Sequence, residues 1–197
     1  MYFTTKLIKL LSKSKIYILG LVTLLVFPVP AWFYRIYYLK ENSDSFFRWD
    51  EFQTGNVLFG LSLGIIYAII ALLALSSPVF EPLPNRVEDL IKKMNLNIFD
   101  AIFLSLCAGI GEELLFRNGI QHILGPIITT LIFIVIHGYF DPRSWRKSLY
   151  GVILLPFVLV LSYGYIYFGQ WFSVAAHFSY DLVLFSSLIG AKKISEQ

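Results

Sequence analysis

The chain has 197 residues, of which 57% are hydrophobic and 15% are charged, and its formal net charge is +3. Soluble domains carry about 25% charged residues, so this composition and a mean hydropathy of +0.68 exclude an ordinary soluble protein. The single cysteine, Cys107, excludes an internal disulfide and a multi-cysteine metal cluster, and we interpret it as a small buried hydrophobe. The chain lacks a dense basic segment, which argues against a nucleic-acid partner.

The apolar residues form long blocks with few or no charges, which lie at 16–34, 56–80, 118–140 and 148–180. A membrane-spanning helix needs roughly 20 apolar residues at a rise of about 1.5 Å per residue. The pattern therefore predicts an all-α fold, a polytopic bundle of about six transmembrane helices.

The first predicted span covers residues 16–36 and follows a lysine-rich segment. A cleaved signal peptide is the alternative, but residues 27–32 offer no small-x-small cleavage site and the chain stays apolar beyond them. The span ends in a cluster of aromatic residues that is typical of the membrane interface. A polar loop follows at 39–53, and the second predicted span covers 55–77.

The middle of the chain combines an interfacial helix with two short spans. Residues 85–97 place apolar side chains at helical spacing, which predicts an amphipathic helix on the membrane surface. A third span is predicted at 98–117 and a fourth at 123–139.

Residues 148–191 carry a single charge, at Asp181, and are long enough for two crossings, which we predict at 148–168 and 171–190. Six crossings place most lysines and arginines on the side of the N-terminus, so the positive-inside rule predicts that both termini are cytoplasmic. A compact chain without glycosylation sequons favours a bacterial cytoplasmic membrane. We expect a single domain over 1–197, with the N-terminal spans in 1–97 and the functional core in 98–190.

An acidic pair stands in the third predicted span, where Glu112 and Glu113 are followed by Arg117. Ionisable residues at membrane depth are costly and by default mark a functional site. Glu113 and Arg117 are spaced to pair on one helix face. Glu112 points about 100° away, so it is free to face a cavity and act as a general base. A purely structural ion pair is the alternative.

Two further motifs carry imidazoles on other apolar helices, Phe133-x-x-x-His137 and His177-x-x-x-Asp181. His177 and Asp181 share a helix face, so Asp181 is placed to orient the His177 ring. If each motif is considered alone, the alternative interpretation of His137 is a histidine that ends its helix. The alternative for His177 and Asp181 is that they form structural hydrogen bonds between helices. Taken together, the motifs predict one polar cavity shared by Glu112, His137 and His177.

The three motifs, in this order and spacing, resemble those of the CPBP intramembrane proteases. This is the family of the CAAX prenyl endopeptidases and their bacterial Abi relatives. The resemblance covers about residues 98–190. Asn118 and Asp181 depart from it, because relatives commonly have glycine after the arginine and often have asparagine at the end of the third motif.

The resemblance implies that Glu112 and His137 activate a water molecule that attacks the scissile carbonyl. His177 and Asp181 would stabilise the oxyanion. An ionised Asp181 cannot donate a hydrogen bond, so it must be protonated or confined to orienting His177.

We expect a metal-free mechanism without a cofactor, in which the Glu113–Arg117 pair supports the site. A zinc-dependent version is the alternative. Its ligand set would be Glu112, His137, His177 and Asp181.

Other hydrolase patterns are absent or badly placed. The chain lacks both the His-Glu-x-x-His motif of metal-dependent intramembrane proteases and the Gly-x-Gly-Asp motif of the presenilin type. Residues 60–64 match the Gly-x-Ser-x-Gly nucleophile elbow around Ser62, but they lie in the middle of a span. We therefore interpret Gly60 and Gly64 as helix-packing residues.

We expect an intramembrane endopeptidase that cuts a membrane-embedded, lipidated or tail-anchored substrate, with membrane lipids as its other partners. A non-catalytic immunity or scaffold protein that retains the fold is the alternative from another class. A small transporter or channel would place its ionisable residues along a continuous path rather than in one cluster.

Overall fold

The described part of the protein, residues 12–80, 94–142 and 144–195 of a computed structural model, contains helices and no strand. The helices are α1 (Lys13–Leu25), α2 (Pro28–Phe33), α3 (Thr54–Leu75), α4 (Ile98–Leu115), α5 (Gln121–Ile136), α6 (Trp145–Phe168) and α7 (Gln170–Ser195). π-helical turns at Tyr34–Tyr38 and Phe116–Ile120 extend α2 and α4. Short 3₁₀ turns at Ser43–Phe47 and Trp49–Glu51 form the loop before α3.

Among the described residues, five helical stretches are long and apolar enough to cross a membrane, and they run over Lys13–Tyr38, Thr54–Leu75, Ile98–Ile136, Ser148–Phe168 and Gln170–Ile189. The predicted class, a helical multi-pass membrane protein, is confirmed. The predicted interfacial helix at 85–97 falls mostly outside the described residues. Met94 and Leu96, at its end, are buried against the last turns of α7.

The stretch Ile98–Ile136 is two antiparallel legs rather than one straight helix. At Gly125 the backbone leaves the helical region, with φ 76° and ψ 170°, and Pro126 follows. On a straight helix Glu112 and His137 would lie about 37 Å apart, yet their side chains are 3.2 Å apart. The chain therefore reverses at Gly125. The predicted spans 98–117 and 123–139 correspond to these legs, but their predicted boundaries placed the reversal several residues too early.

The first predicted span, 16–36, is also interrupted. Helix α1 ends at Leu25, and Pro28 starts α2 because proline is well tolerated at the first turn of a helix. The π-helical turn that follows carries Arg35, which is 1% exposed. The side chain folds inward because Glu41 accepts two hydrogen bonds from it, at 2.6 and 2.7 Å.

The helices alternate between two ends of the bundle. At the end that we call the Asp100 end, Lys13 of α1 forms an ion pair with Asp100 of α4 at 2.7 Å. At the opposite end, the Trp49 end, the backbone N–H of Gln170 donates to Glu51. Helix α7 starts there and returns to the Asp100 end, where Ile189 is buried. The start of α1 and the end of α7 thus share one end, and its cytoplasmic location stays a prediction.

Small residues let helix α3 lie directly on helix α7. A Cβ atom on Gly60 would collide with the carbonyl oxygen of Phe172, and one on Gly64 with that of Ala176. The predicted packing role of the two glycines is confirmed. Ser62 lies on the exposed side of the same helix, and its hydroxyl donates to the carbonyl oxygen of Leu58, one turn earlier.

Helix α4 is held equally closely between α1 and α7. A Cβ atom on Gly111 would collide with the carbonyl of Thr23 in α1. One on Gly109 would meet the backbone nitrogen of Phe178 in α7 at 3.1 Å. Cys107 is buried in the same helix, as predicted. These contacts fix the helical turn on which Glu112 and Glu113 stand.

Asn118 connects several segments at the Trp49 end by hydrogen bonds. These bonds give a structural reason for asparagine, rather than the glycine common in the family pattern, after Arg117. Its side-chain amide donates to the carbonyl of Phe46 at 2.8 Å and accepts from the hydroxyl of Tyr165 at 3.0 Å. Its own carbonyl accepts from Arg35 at 3.0 Å. A glycine would keep only the last of these bonds.

We expect Asn118→Ala to lower the free energy of unfolding by about 2–3 kcal/mol, because two buried hydrogen bonds are lost. The check is the unfolding midpoint in detergent. Asn56→Ala is the matched control, since Asn56 is only partly buried and its hydrogen bonds to the Phe168 carbonyl and to Gln53 lie at the surface. Equal losses in the two variants would contradict the role given to Asn118.

Candidate active site

The three motifs meet in one pocket. Helix α4 brings Glu112, the end of α5 brings His137, and α7 brings His177 and Asp181. All four side chains line a cavity of about 390 Å³. The expectation that Glu112, His137 and His177 share one cavity agrees with this geometry, while their catalytic roles stay predictions.

Glu112 and His137 form the more open side of the site. The Oε2 atom of Glu112 lies 3.2 Å from Nε2 of His137, and the two side chains are 14% and 28% exposed. On the other side of the ring, Nδ1 lies 2.7 Å from the carbonyl oxygen of Phe133. A carbonyl oxygen only accepts, so Nδ1 carries the proton of this bond. Nε2 is left to exchange a proton with Glu112.

Phe133 has two roles in the second motif. Besides accepting from His137, it stacks on the imidazole with ring centroids 4.1 Å apart. It also meets the His177 ring edge-on at 6.0 Å. A residue four positions before a histidine on a helix reaches it in both ways, which explains the spacing of Phe-x-x-x-His.

Glu113 is the buried centre of the site, with no exposed side-chain surface. Its Oε2 atom accepts from Nε of Arg117 at 2.7 Å, as the sequence spacing predicted. Its Oε1 atom accepts from Nδ1 of His177 at 2.9 Å. Glu113 therefore links α4 to α7 and fixes the orientation of the His177 ring.

Asp181 does not orient His177 as we expected from the sequence. Its Oδ2 atom lies 3.6 Å from Nε2 of His177, which is too long for a hydrogen bond. The i, i+4 spacing brings the two side chains close, but Glu113 from another helix occupies Nδ1. Asp181 is instead a partly exposed carboxylate that faces the cavity.

Arg117 is held by polar groups that sequence reasoning missed. Its Nη1 atom donates to Ser162 of α6 at 2.6 Å and to Gln121 at 3.2 Å. Ser162 also bonds to Thr130 at 2.9 Å. Gln121 lies four residues after Arg117, a spacing that was available as a signal. Ser162 and Thr130 gave none, because single hydroxyls are common in apolar helices.

Three tyrosines lie beside the acids and histidines, and the sequence gave no reason to single them out. Tyr139 and Tyr180 line the cavity. The hydroxyls of Tyr150 and Tyr180 are 3.2 Å apart. The Tyr139 ring lies parallel to that of His137, with centroids 5.9 Å apart and an angle of 7° between them. Burial raises the pKa of the Tyr139 hydroxyl, so this group keeps its proton.

The apolar part of the cavity extends from the motif residues between α1, α4 and α7. Its wall is formed by aliphatic and aromatic side chains, among them Ile16, Leu19, Leu96, Leu104 and Phe185. The site therefore joins a polar centre to an apolar chamber that leads toward the Asp100 end.

Within residues 12–80, 94–142 and 144–195, no three His, Cys, Asp or Glu side chains are arranged to hold a metal ion. Nδ1 of His177 is bonded to Glu113, and Nε2 of His137 lies against Glu112. The zinc alternative thus gains no support from the geometry, and metal dependence stays open to measurement.

A protein-family model described as type II CAAX prenyl endopeptidase, Rce1-like, matches residues 94–183. The matched region contains all three motifs. Residues 94–183 are thus similar to the Rce1-like family. The resemblance to CAAX proteases drawn from the motifs is confirmed. No curated protein and no solved structure matches the chain.

The Rce1-like region implies an intramembrane protease of the CAAX type, and with it a membrane-associated substrate. The match ends within α7 and begins just before α4. Residues outside it contribute α1 to α3, of which α1 supplies one wall of the cavity.

We expect Glu113→Ala to lower the free energy of unfolding by about 3–5 kcal/mol, because Arg117 is left buried without its counter-charge. Thermal unfolding in detergent measures this loss. Glu51→Ala is the comparison, since Glu51 pairs with Arg48 at a partly exposed site and accepts the N–H of Gln170 at the start of α7, which together contribute about 1–2 kcal/mol. A loss no larger than that of the comparison variant would contradict the central place of Glu113.

Proposed function

We propose that this protein hydrolyses a peptide bond of a membrane-associated substrate with a water molecule activated by Glu112 and His137. The observation that carries the proposal is the 3.2 Å approach of these two side chains at the wall of a cavity that His177 also lines. A carboxylate and an imidazole that lie in contact, with most of their side-chain surface buried, are suited to transfer a proton between them.

In this mechanism the water oxygen attacks the carbonyl carbon of the scissile bond. The water proton passes to Glu112, with His137 sharing it through Nε2. The same proton then goes to the leaving nitrogen when the tetrahedral intermediate collapses. The bond from His137 Nδ1 to the Phe133 carbonyl supports these steps, because it fixes the ring with Nε2 toward Glu112.

His177 is suited to stabilise the oxyanion. Since its Nδ1 proton is donated to Glu113, Nε2 can donate toward the cavity only when the ring carries both protons. A protonated imidazole beside two carboxylates would be a fixed positive charge near the developing oxyanion. Glu113 acts through His177 as a positioning residue.

The shape of the cavity supports our proposal for the substrate class. An apolar chamber beside the polar centre favours a substrate with an apolar segment, either embedded in the bilayer or attached as a lipid. We propose that the protein lies in a bacterial cytoplasmic membrane, because its sequence has no glycosylation sequon, and that both termini are cytoplasmic, because of the lysine and arginine distribution.

Glu112→Gln should lower cleavage at least 100-fold and leave the unfolding midpoint unchanged, because glutamine keeps the shape but cannot accept a proton. The assay is release of the tail from an internally quenched peptide that ends in a prenylated Cys-aliphatic-aliphatic-X sequence, with the protein in liposomes. Ser62→Ala is the control and should keep parental activity, since Ser62 faces away from the cavity. Parental activity in Glu112→Gln would refute the assignment.

Asp181→Asn separates the metal-free from the zinc mechanism. Asparagine donates a hydrogen bond but is a poor zinc ligand. We therefore expect the variant to keep activity within about tenfold of the parent, with or without a chelator. Metal analysis accompanies the assay. Stoichiometric zinc in the parent, lost together with activity in Asp181→Asn, would overturn the metal-free mechanism.

A further inference from the structure

The presence of aspartate at position 181 leaves the site short of a hydrogen-bond donor. A developing oxyanion is stabilised by donors aimed at it. Of the motif side chains that line the cavity, Glu112 serves as base and an ionised Asp181 only accepts. His177 supplies at most one N–H toward the cavity, because Glu113 occupies the other.

The neighbouring hydroxyl of Tyr139 fits this requirement. Tyr139 lines the same cavity, and within the described part of the chain its hydroxyl has no hydrogen-bond partner. Tyr180 also lines the cavity, but its hydroxyl is already bonded to Tyr150 at 3.2 Å. The uncommitted donor is therefore that of Tyr139.

The loop that carries Tyr139 fixes its position. Gly138 before it has φ 72°, a conformation that glycine adopts without strain. The backbone N–H of Tyr139 donates to Ile134 at 3.2 Å. A Cβ atom on Gly151 of α6 would lie 2.5 Å from the Tyr139 carbonyl, so only glycine at 151 allows the loop to lie so close.

Aromatic contacts hold the ring itself. It lies parallel to the His137 imidazole at 5.9 Å and meets the Tyr150 ring edge-on at 5.5 Å. A side chain held by two ring contacts rearranges little when its hydroxyl donates a hydrogen bond. This is the condition for effective oxyanion stabilisation.

We propose that the Tyr139 hydroxyl donates a hydrogen bond to the oxyanion and takes the part that an asparagine amide at position 181 would otherwise play. The inference rests on the proposed peptidase function. It makes Tyr139 a catalytic residue and predicts that its importance depends on the residue at position 181.

The test is a double-mutant cycle with Tyr139→Phe and Asp181→Asn, assayed on the quenched prenylated peptide in liposomes. Phenylalanine keeps the ring contacts and removes only the hydroxyl. In the parent background we expect kcat to fall about 100-fold with little change in KM, the cost of losing one oxyanion donor. In the Asp181→Asn background the same change should cost about threefold or less, because asparagine supplies a donor.

Tyr150→Phe is the matched control. It removes a hydroxyl of the same kind from the same aromatic cluster, but Tyr150 does not line the cavity, so kcat should stay within about threefold of the parent. Unfolding midpoints of all variants show whether the fold is retained, and a Tyr139→Phe protein that unfolds more easily while keeping parental kcat contradicts the proposal.

The possible outcomes separate this inference from the function on which it rests. Unchanged kcat in Tyr139→Phe, or an equal loss of kcat in both backgrounds, overturns the proposed role of Tyr139. The proposed peptidase function still stands in that case if the Glu112→Gln variant is inactive. Absence of cleavage by the parent protein on the same peptide overturns both.

Discussion

The site depends on one fully buried carboxylate. Glu113 accepts from Arg117 on its own helix and from His177 on α7, so a single side chain neutralises an intramembrane cation and joins two helices. Removing Arg117 would leave this carboxylate without its counter-charge in a low-dielectric interior, and removing His177 would leave its Oε1 atom without a hydrogen bond. The polar groups of α5 and α6 that bind Arg117 extend the same network to the remaining wall of the site.

This arrangement leaves Glu112 free for the proposed chemistry. Adjacent residues on a helix point in directions about 100° apart, so the glutamate next to the structural one faces the cavity. One member of the pair is then wholly buried and paired, while the other is 14% exposed and in contact with His137. Two identical side chains thus lie in different environments, which suits them to the different tasks that we propose.

The motifs and the apolar blocks could be found from the sequence because each is a local pattern. Spacing along a helix predicted the Glu113–Arg117 pair, the cluster of ionisable residues and the packing of Gly60 and Gly64. The same reasoning failed where partners come from different helices. It assigned the orientation of His177 to Asp181 because a sequence shows which residues are four positions apart on one helix. It does not show that Glu113, on another helix, contacts His177.

The exact position of the reversal, at Gly125, and the burial of Arg35 escaped prediction for a related reason. The apolar pattern continues through Gly125-Pro126. The backbone angles of Gly125 and the contact between Glu112 and His137 show where the chain turns back. Arg35 looks like an interfacial cation until Glu41 and the Asn118 carbonyl are seen around it. Tyr139 carries no motif at all, and its proposed role depends on a loop conformation.

The most direct test of the water-activation mechanism is an experimental structure of the Glu112→Gln variant with the prenylated peptide bound in a membrane mimetic. The account predicts that the scissile carbonyl lies in the cavity, with its carbon within one water molecule of residue 112 and its oxygen toward His177. A peptide bound with its scissile bond away from residue 112 and His137, or on the lipid-facing surface, would contradict the account.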